Sequence, residues 1–123
     1  MINVTKTYLP DKDKYKKYID QIYANGWITN NGPMVRLLEK RLADYLGVRN
    51  IVLVSNGTVA LEIAYRIFGI QGDVITTPFS FVATTSSLIT NGLNPIFADI
   101  DAQKLNIDPR NIEKIITKDT SAI

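Results

Sequence analysis

The sequence predicts an α/β chain in which N-terminal helices lead into alternating strand and helix units of an incomplete sheet. Three observations carry this. From Ile51 onward, short apolar runs ("IVLV", "DVITT", "PIFADI") alternate with stretches at helical spacing ("TVALEIAYRIFG", "FVATTSSLITNG", "PRNIEKIIT"). Before Ile51, apolar residues recur only at helical spacing. The helix over 58–68 is apolar on nearly every side, with Glu62 and Arg66, spaced i to i+4, as its one wet stripe. Such alternation argues for a parallel sheet covered on both faces. Residues 1–50 are expected to form a helical segment and 51–123 the α/β part.

Each element has a local reason. Residues 11–25 place Tyr15, Tyr18, Ile19 and Ile22 on one face, and Asn25-Gly26 ends the helix. The next stretch, "WITNNGP", is rich in turn residues. Pro33 suits the first turn of a second helix, "PMVRLLEKRLADYLG", because no helical hydrogen bond is lost there; Gly47 then terminates it. Its apolar stripe is Val35, Leu38, Leu42, Tyr45 and Leu46. "IVLV" reads as a buried strand, and "SNGT" as a tight polar turn into helix 58–68. The strand "DVITT", a helix from Phe81, the strand "PIFADI" and a helix around "PRNIEKIIT" follow, and "TSAI" reads as a strand beginning. A chain that stops there is expected to be the front part of something larger.

Composition narrows the chemistry. At 123 residues, with 46% hydrophobic and 21% charged residues, the chain is globular and large enough for a real core. Its net charge of +2 is spread along the sequence, whereas nucleic-acid binders cluster their basic residues. The one basic cluster, "KDKYKKY", reads as the solvated face of the first helix. Without Cys or His, neither thiolate nor imidazole chemistry is available. No apolar run is long enough to span a bilayer, and the N-terminus lacks a signal-peptide core, so the expected location is cytoplasmic.

Four stretches could carry function. In Ser55-Asn56-Gly57-Thr58, a helix start offers unpaired N–H groups and partial positive charge to an anion; the same residues could simply cap the helix. The turn has neither the Gly-Lys-Ser/Thr ending of a nucleotide phosphate loop nor the further glycines of a dinucleotide fingerprint. "ITTPFSFVATTSSL" delivers Phe79 and Phe81 to the edge where α/β sheets bind ligands; Phe79 is expected in the core, and Phe81, followed by small polar residues, on a ligand face. "PIFADID" sets Asp99 and Asp101 two apart after a strand. That spacing resembles a metal clamp for a diphosphate, although acidic residues often end strands for turn chemistry alone. The loop "GWITNNGP" could face a substrate or anchor the second helix.

Taken in order and at these separations, "GWITNNGPMVRLLEKRLADYLGV", "SNGTVALEIA", "VITTPFSFVAT" and "NPIFADID…LNIDPRNIEKIIT" resemble the N-terminal part of the DegT/DnrJ/EryC1/StrS family. These are PLP-dependent sugar aminotransferases of aspartate-aminotransferase-like fold (type I). The resemblance runs from about Tyr8 to Ile123 and implies that 51–123 is the first part of the PLP-binding domain. By position, it implies that Gly57 and Thr58 hold the phosphate of pyridoxal 5′-phosphate and that Phe81 stacks on its ring. It implies that the loop from Trp27 to Gly32, with Trp27, Thr29 and Asn31 as candidate substrate contacts, lies near the sugar-nucleotide site and the subunit interface. The substrates implied are nucleotide-linked keto-sugars, with glutamate as amino donor. The products feed lipopolysaccharide, capsule or antibiotic sugars, and the intact enzyme is implied to be a homodimer.

The departure from the family pattern matters equally. Such an enzyme needs a Schiff-base lysine and an acidic partner for the pyridine nitrogen, both of which the family places further along. Lys40, Lys104, Lys114 and Lys118 lie in charge-rich segments rather than apolar pockets. No catalytic residue and no metal ligand is therefore expected in this chain, which alone should be inactive. In the family fold the first strand, "IVLV", borders a late strand rather than "VITT" or "PIFADI", so the isolated chain is expected to rearrange or self-associate. Two other readings remain: a metal-dependent nucleotide-sugar or glycosyl-transfer domain using Asp99 and Asp101, and a non-catalytic remnant of the fold's front half.

Overall fold

The computed structural model describes residues 4–123. It divides into two compact units, Met1–Leu53 and Val54–Ile123.

The first unit holds two helices, α1 (Lys12–Asn25) and α2 (Pro33–Leu46). Asp11 starts α1 by accepting the Lys14 N–H at 2.9 Å, and Gly26, in the left-handed region at φ 62°, ends it on the Ile22 carbonyl. Pro33 opens α2 as the sequence predicts, and Gly47 closes it at φ 66°. Arg41 Nη1 donates to the Tyr18 hydroxyl at 2.8 Å, linking the two helices. "IVLV" is not a strand. No ladder among the described residues includes it; the Leu53 N–H instead donates to Glu39 Oε1 at 3.1 Å, and Val52 is exposed. An apolar run becomes a strand only when a neighbour takes up its backbone groups, and here a side chain takes one of them.

The second unit runs α3 (Gly57–Ile67), β1 (Asp73–Thr76), α4 (Val82–Thr90), β2 (Asn94–Phe97), α5 (Pro109–Ile115) and β3 (Thr120–Ala122). The three strands form one parallel sheet in the order β2-β1-β3. Asp73 pairs with Asn94 on one side and with Thr120 on the other, so β1 is central and "TSAI" does enter the sheet. Gly72 precedes β1 at φ 75°, where a side chain would be strained and its Cβ would stand 3.3 Å from the Asp119 carbonyl. The β3 side of the sheet therefore closes on bare backbone.

Side chains alternate across a strand, so the buried neighbours Val74 and Ile75 show that both faces of β1 are covered. Val74 packs with Leu88 and Leu93, and Tyr65, Ile70 and Ala122 close around them. α4 lies on β1 and β2, and α3 lies on α4. Of the expected wet stripe of α3, Arg66 is exposed and Glu62 half-buried. Glu62 Oε1 accepts from Thr90 Oγ1 at 3.4 Å and Arg66 Nε donates to Asn91 Oδ1 at 3.0 Å, so both also reach α4. Ile63, Ile67 and Phe68 are exposed as well. The polar C-terminal end of α4 offers hydrogen-bond partners that apolar side chains cannot use.

Leu88 is 1% exposed at the centre of this cluster. Leu88→Ala should destabilise the second unit by about 2–5 kcal/mol, read from urea unfolding.

Candidate functional site

The site begins at the start of α3. Asn56 adopts an extended backbone and caps the helix, its Oδ1 accepting the Val59 N–H at 3.0 Å and its carbonyl the Ala60 N–H at 3.2 Å. Its amide also donates to Ser55 Oγ at 3.3 Å, which fixes the cap's orientation. The N–H groups of Gly57 and Thr58 are left with no acceptor among the described residues. A Cβ built on Gly57 meets nothing within 4 Å. Capping and anion binding, which compete for this turn in the sequence, are thus compatible: the cap uses the later N–H groups and leaves the first two open.

Phe81 is the N-cap residue of α4 and is 78% exposed. Arg66 reaches Asn91 and Tyr65 reaches Ser87, so the C-terminal ends of α3 and α4 meet. α3 has 11 residues and extends roughly 16 Å back from that point. α4 starts just past the C-terminal end of β1, at the edge where open α/β sheets bind ligands. Thr77 Oγ1 accepts the Phe79 N–H at 3.3 Å, and Ser80 Oγ lies 2.9 Å from Thr84 Oγ1, which shapes the turn between strand and helix. Phe79 is 60% exposed and does not enter the core. It sits past the last ladder residue of β1, beyond the reach of the sheet's packing.

Trp27, Thr29 and Asn31 belong to the first unit, in the connection between α1 and α2. Thr29 and Asn31 are exposed, and Asn31 holds φ at 54°. The Arg36 guanidinium stands over the Trp27 ring, a contact the sequence did not announce.

Asp99 and Asp101 are used locally. Asp99 Oδ1 accepts the Ile100 N–H at 2.8 Å. Asp101 Oδ1 accepts the Gln103 and Lys104 N–H groups at 2.9 Å each, and its Oδ2 lies 3.4 Å from Arg110 Nη2. An antiparallel bridge between Ile100 and Ile107 closes this loop, another feature not expected from sequence. Asp108 caps α5 through the Arg110 N–H and grips the Arg110 side chain, with Nη2 at 2.7 Å from Oδ2. Asp108 is buried, and hydrogen bonding from Arg110 holds its carboxyl below the usual carboxylate range, while Asp108 in turn raises Arg110. "NIDPR" gave a readable hint, since Asp before Pro suits a helix start. The Arg two residues later carries no such signal. All nine lysines are exposed.

A parallel sheet with helices packed on it, two unpaired N–H groups at the start of α3 and an exposed aromatic at the start of α4 make this an α/β protein. The chain belongs to the DegT/DnrJ/EryC1/StrS aminotransferase family, whose model matches residues 10–123. It is 48% identical over 122 residues to the dTDP-4-amino-4,6-dideoxy-D-glucose transaminase of Escherichia coli, covering 99% of this chain and 33% of that protein. The structure of DesI in the presence of its TDP-sugar product matches with a TM-score of 0.80 at 35% identity, covering 89% of this chain and 28% of that one. The PLP form of the sugar aminotransferase Spr1654 from Streptococcus pneumoniae matches with a TM-score of 0.84 at 26% identity, covering 97% and 31%. The chain thus spans about a third of the length of the proteins it matches. Among the described residues no helix is long and apolar enough to cross a membrane.

The Asp108–Arg110 pair has a pH signature. Because the folded state holds the Asp108 carboxyl below its ordinary value, its stabilisation is complete above that value and is lost as pH falls toward the folded one. Arg110→Met should lower stability at neutral pH and flatten the acid side of the stability curve, measured by urea unfolding at a series of pH values.

Proposed function

We propose that the protein carrying this chain is a PLP-dependent aminotransferase that aminates a nucleotide-linked keto-sugar with glutamate as donor. Its products would serve surface polysaccharide or other amino-sugar synthesis. The observation that supports this reading most is the family match over residues 10–123, in a chain whose α3 starts on the open N–H groups of Gly57 and Thr58 and whose α4 starts on exposed Phe81.

The residues fit the cofactor. The free N–H groups of Gly57 and Thr58, the Thr58 hydroxyl and the positive end of α3 hold its phosphate, and the open space at Gly57 admits close approach. Phe81 would pack on the ring. When bound, pyridoxal phosphate supplies the electron sink that amino transfer requires. Residues 51–123 form the first part of the domain that binds it. With every lysine of the chain exposed, these residues bind and orient the cofactor, and a lysine elsewhere in the intact protein anchors it. Trp27, Thr29 and Asn31 meet the sugar nucleotide. The intact protein works as a cytoplasmic homodimer, and the 123-residue chain alone self-associates through its open sheet edges. Asp99 and Asp101 each accept local backbone hydrogen bonds, which favours turn chemistry over the metal clamp.

The intact protein should form 2-oxoglutarate and amino-sugar in equal amounts from glutamate and a dTDP-linked keto-hexose; no glutamate consumption with any nucleotide-linked keto-sugar would sink the reading. The 123-residue chain should bind pyridoxal phosphate reversibly in equilibrium dialysis, with no lysine-linked absorption band. Phe81→Ala should weaken that binding roughly 2–12-fold, the equivalent of one aromatic contact. Gly57→Asp, which places a carboxylate against the phosphate, should abolish it.

A further inference from the structure

The connection between α1 and α2 holds a pairing that the cofactor does not use. The Arg36 guanidinium carbon lies 5.3 Å from the centroid of the Trp27 ring, within the range of a cation–π contact. Trp27 is nevertheless 46% exposed, so its ring is held and still presents open surface. Arg36 is also tied to the far end of the same segment, because its backbone N–H donates to the Gly32 carbonyl at 3.2 Å. One residue therefore closes both ends of 27–32.

Between those ends the backbone turns. Asn31 holds φ at 54°, in the left-handed region that Asn enters more readily than most side chains. Gly32 is buried against the indole: a Cβ there would be in ordinary contact, 3.5 Å from Trp27 Cδ1 and from the carbonyls of Trp27 and Thr29. Helix stability does not account for Arg36. It sits in the first turns of α2, near the positive end of the helix, where the dipole disfavours a cation. Among the described residues no carboxylate pairs with it.

We propose that Arg36 is a positioning residue: by stacking on Trp27 it holds segment 27–32 in one conformation, so that the open indole surface, Thr29 and Asn31 are presented together to a ligand. The assignment rests on the reading that this segment meets the nucleotide-linked sugar. It adds a residue that touches no ligand itself.

Trp27 is the sole tryptophan, so its fluorescence reports on the surroundings of this one ring. In the 123-residue chain, Arg36→Ala should roughly double acrylamide quenching of Trp27 and lower its anisotropy, while Arg36→Lys, which keeps a cation, should restore most of both. Equal quenching and anisotropy in wild type and Arg36→Ala, at unchanged helix content, would overturn the assignment. A second arm titrates thymidine diphosphate against Trp27 emission. Saturable quenching that weakens about 2–5-fold in Arg36→Ala and recovers in Arg36→Lys supports positioning. The same affinity in Arg36→Ala and wild type overturns it. A nucleotide that leaves wild-type emission unchanged, while Arg36→Ala still loosens Trp27, supports the hold on the segment and removes the substrate reading of Trp27 alone.

Discussion

Parallel pairing is the constraint on which the second unit depends. A strand that runs parallel to its neighbour must be reached by a crossover, and each crossover helix begins where the preceding strand ends. With β1 central and parallel to both β2 and β3, the chain has to return past the sheet before every pairing. α4 consequently begins at the C-terminal edge, directly after β1, and the C-terminal end of α3 is tied to that of α4 through Arg66–Asn91 and Tyr65–Ser87.

What each helix start offers follows from how it is built. Asn56 satisfies the later N–H groups of α3 from within the chain and leaves those of Gly57 and Thr58 to something external. α4 starts on Phe81, a residue with no side-chain acceptor for a cap, and offers an aromatic surface instead. One helix start contributes polarity and charge, the other a flat face. By contrast, α5 is closed internally: Asp108 spends its carboxylate on the helix start and on Arg110, and the loop carrying Asp101 folds over on itself. Of these helix starts, those of α3 and α4 are the ones left open to a ligand.

Much of this was legible in the residues. Helix bounds followed from Pro33, Gly26 and Gly47, and the three strands from apolar runs between turn residues. The helix starts at Gly57 and after Phe81 were legible from the turn residues that precede them. What escaped was whatever depends on a partner distant in sequence. "IVLV" has the composition of a strand but lacks a neighbour to pair with, and Glu39, fourteen residues earlier, takes one of its N–H groups. Glu62 and Arg66 look solvent-facing until α4, more than twenty residues on, supplies their partners. Arg36 over Trp27 crosses a turn whose path the sequence does not specify.

Gly72 shows how such distant dependence reaches a single position. Its left-handed backbone and the Asp119 carbonyl 3.3 Å from its absent Cβ bind it to a residue nearly fifty positions away. A side chain there would take on a strained backbone and ask the Asp119 carbonyl, which leads into β3, to give by a few tenths of an ångström. That constraint belongs to the fold and holds whether or not a ligand is ever bound, whereas at Gly57 an added Cβ would meet nothing within 4 Å.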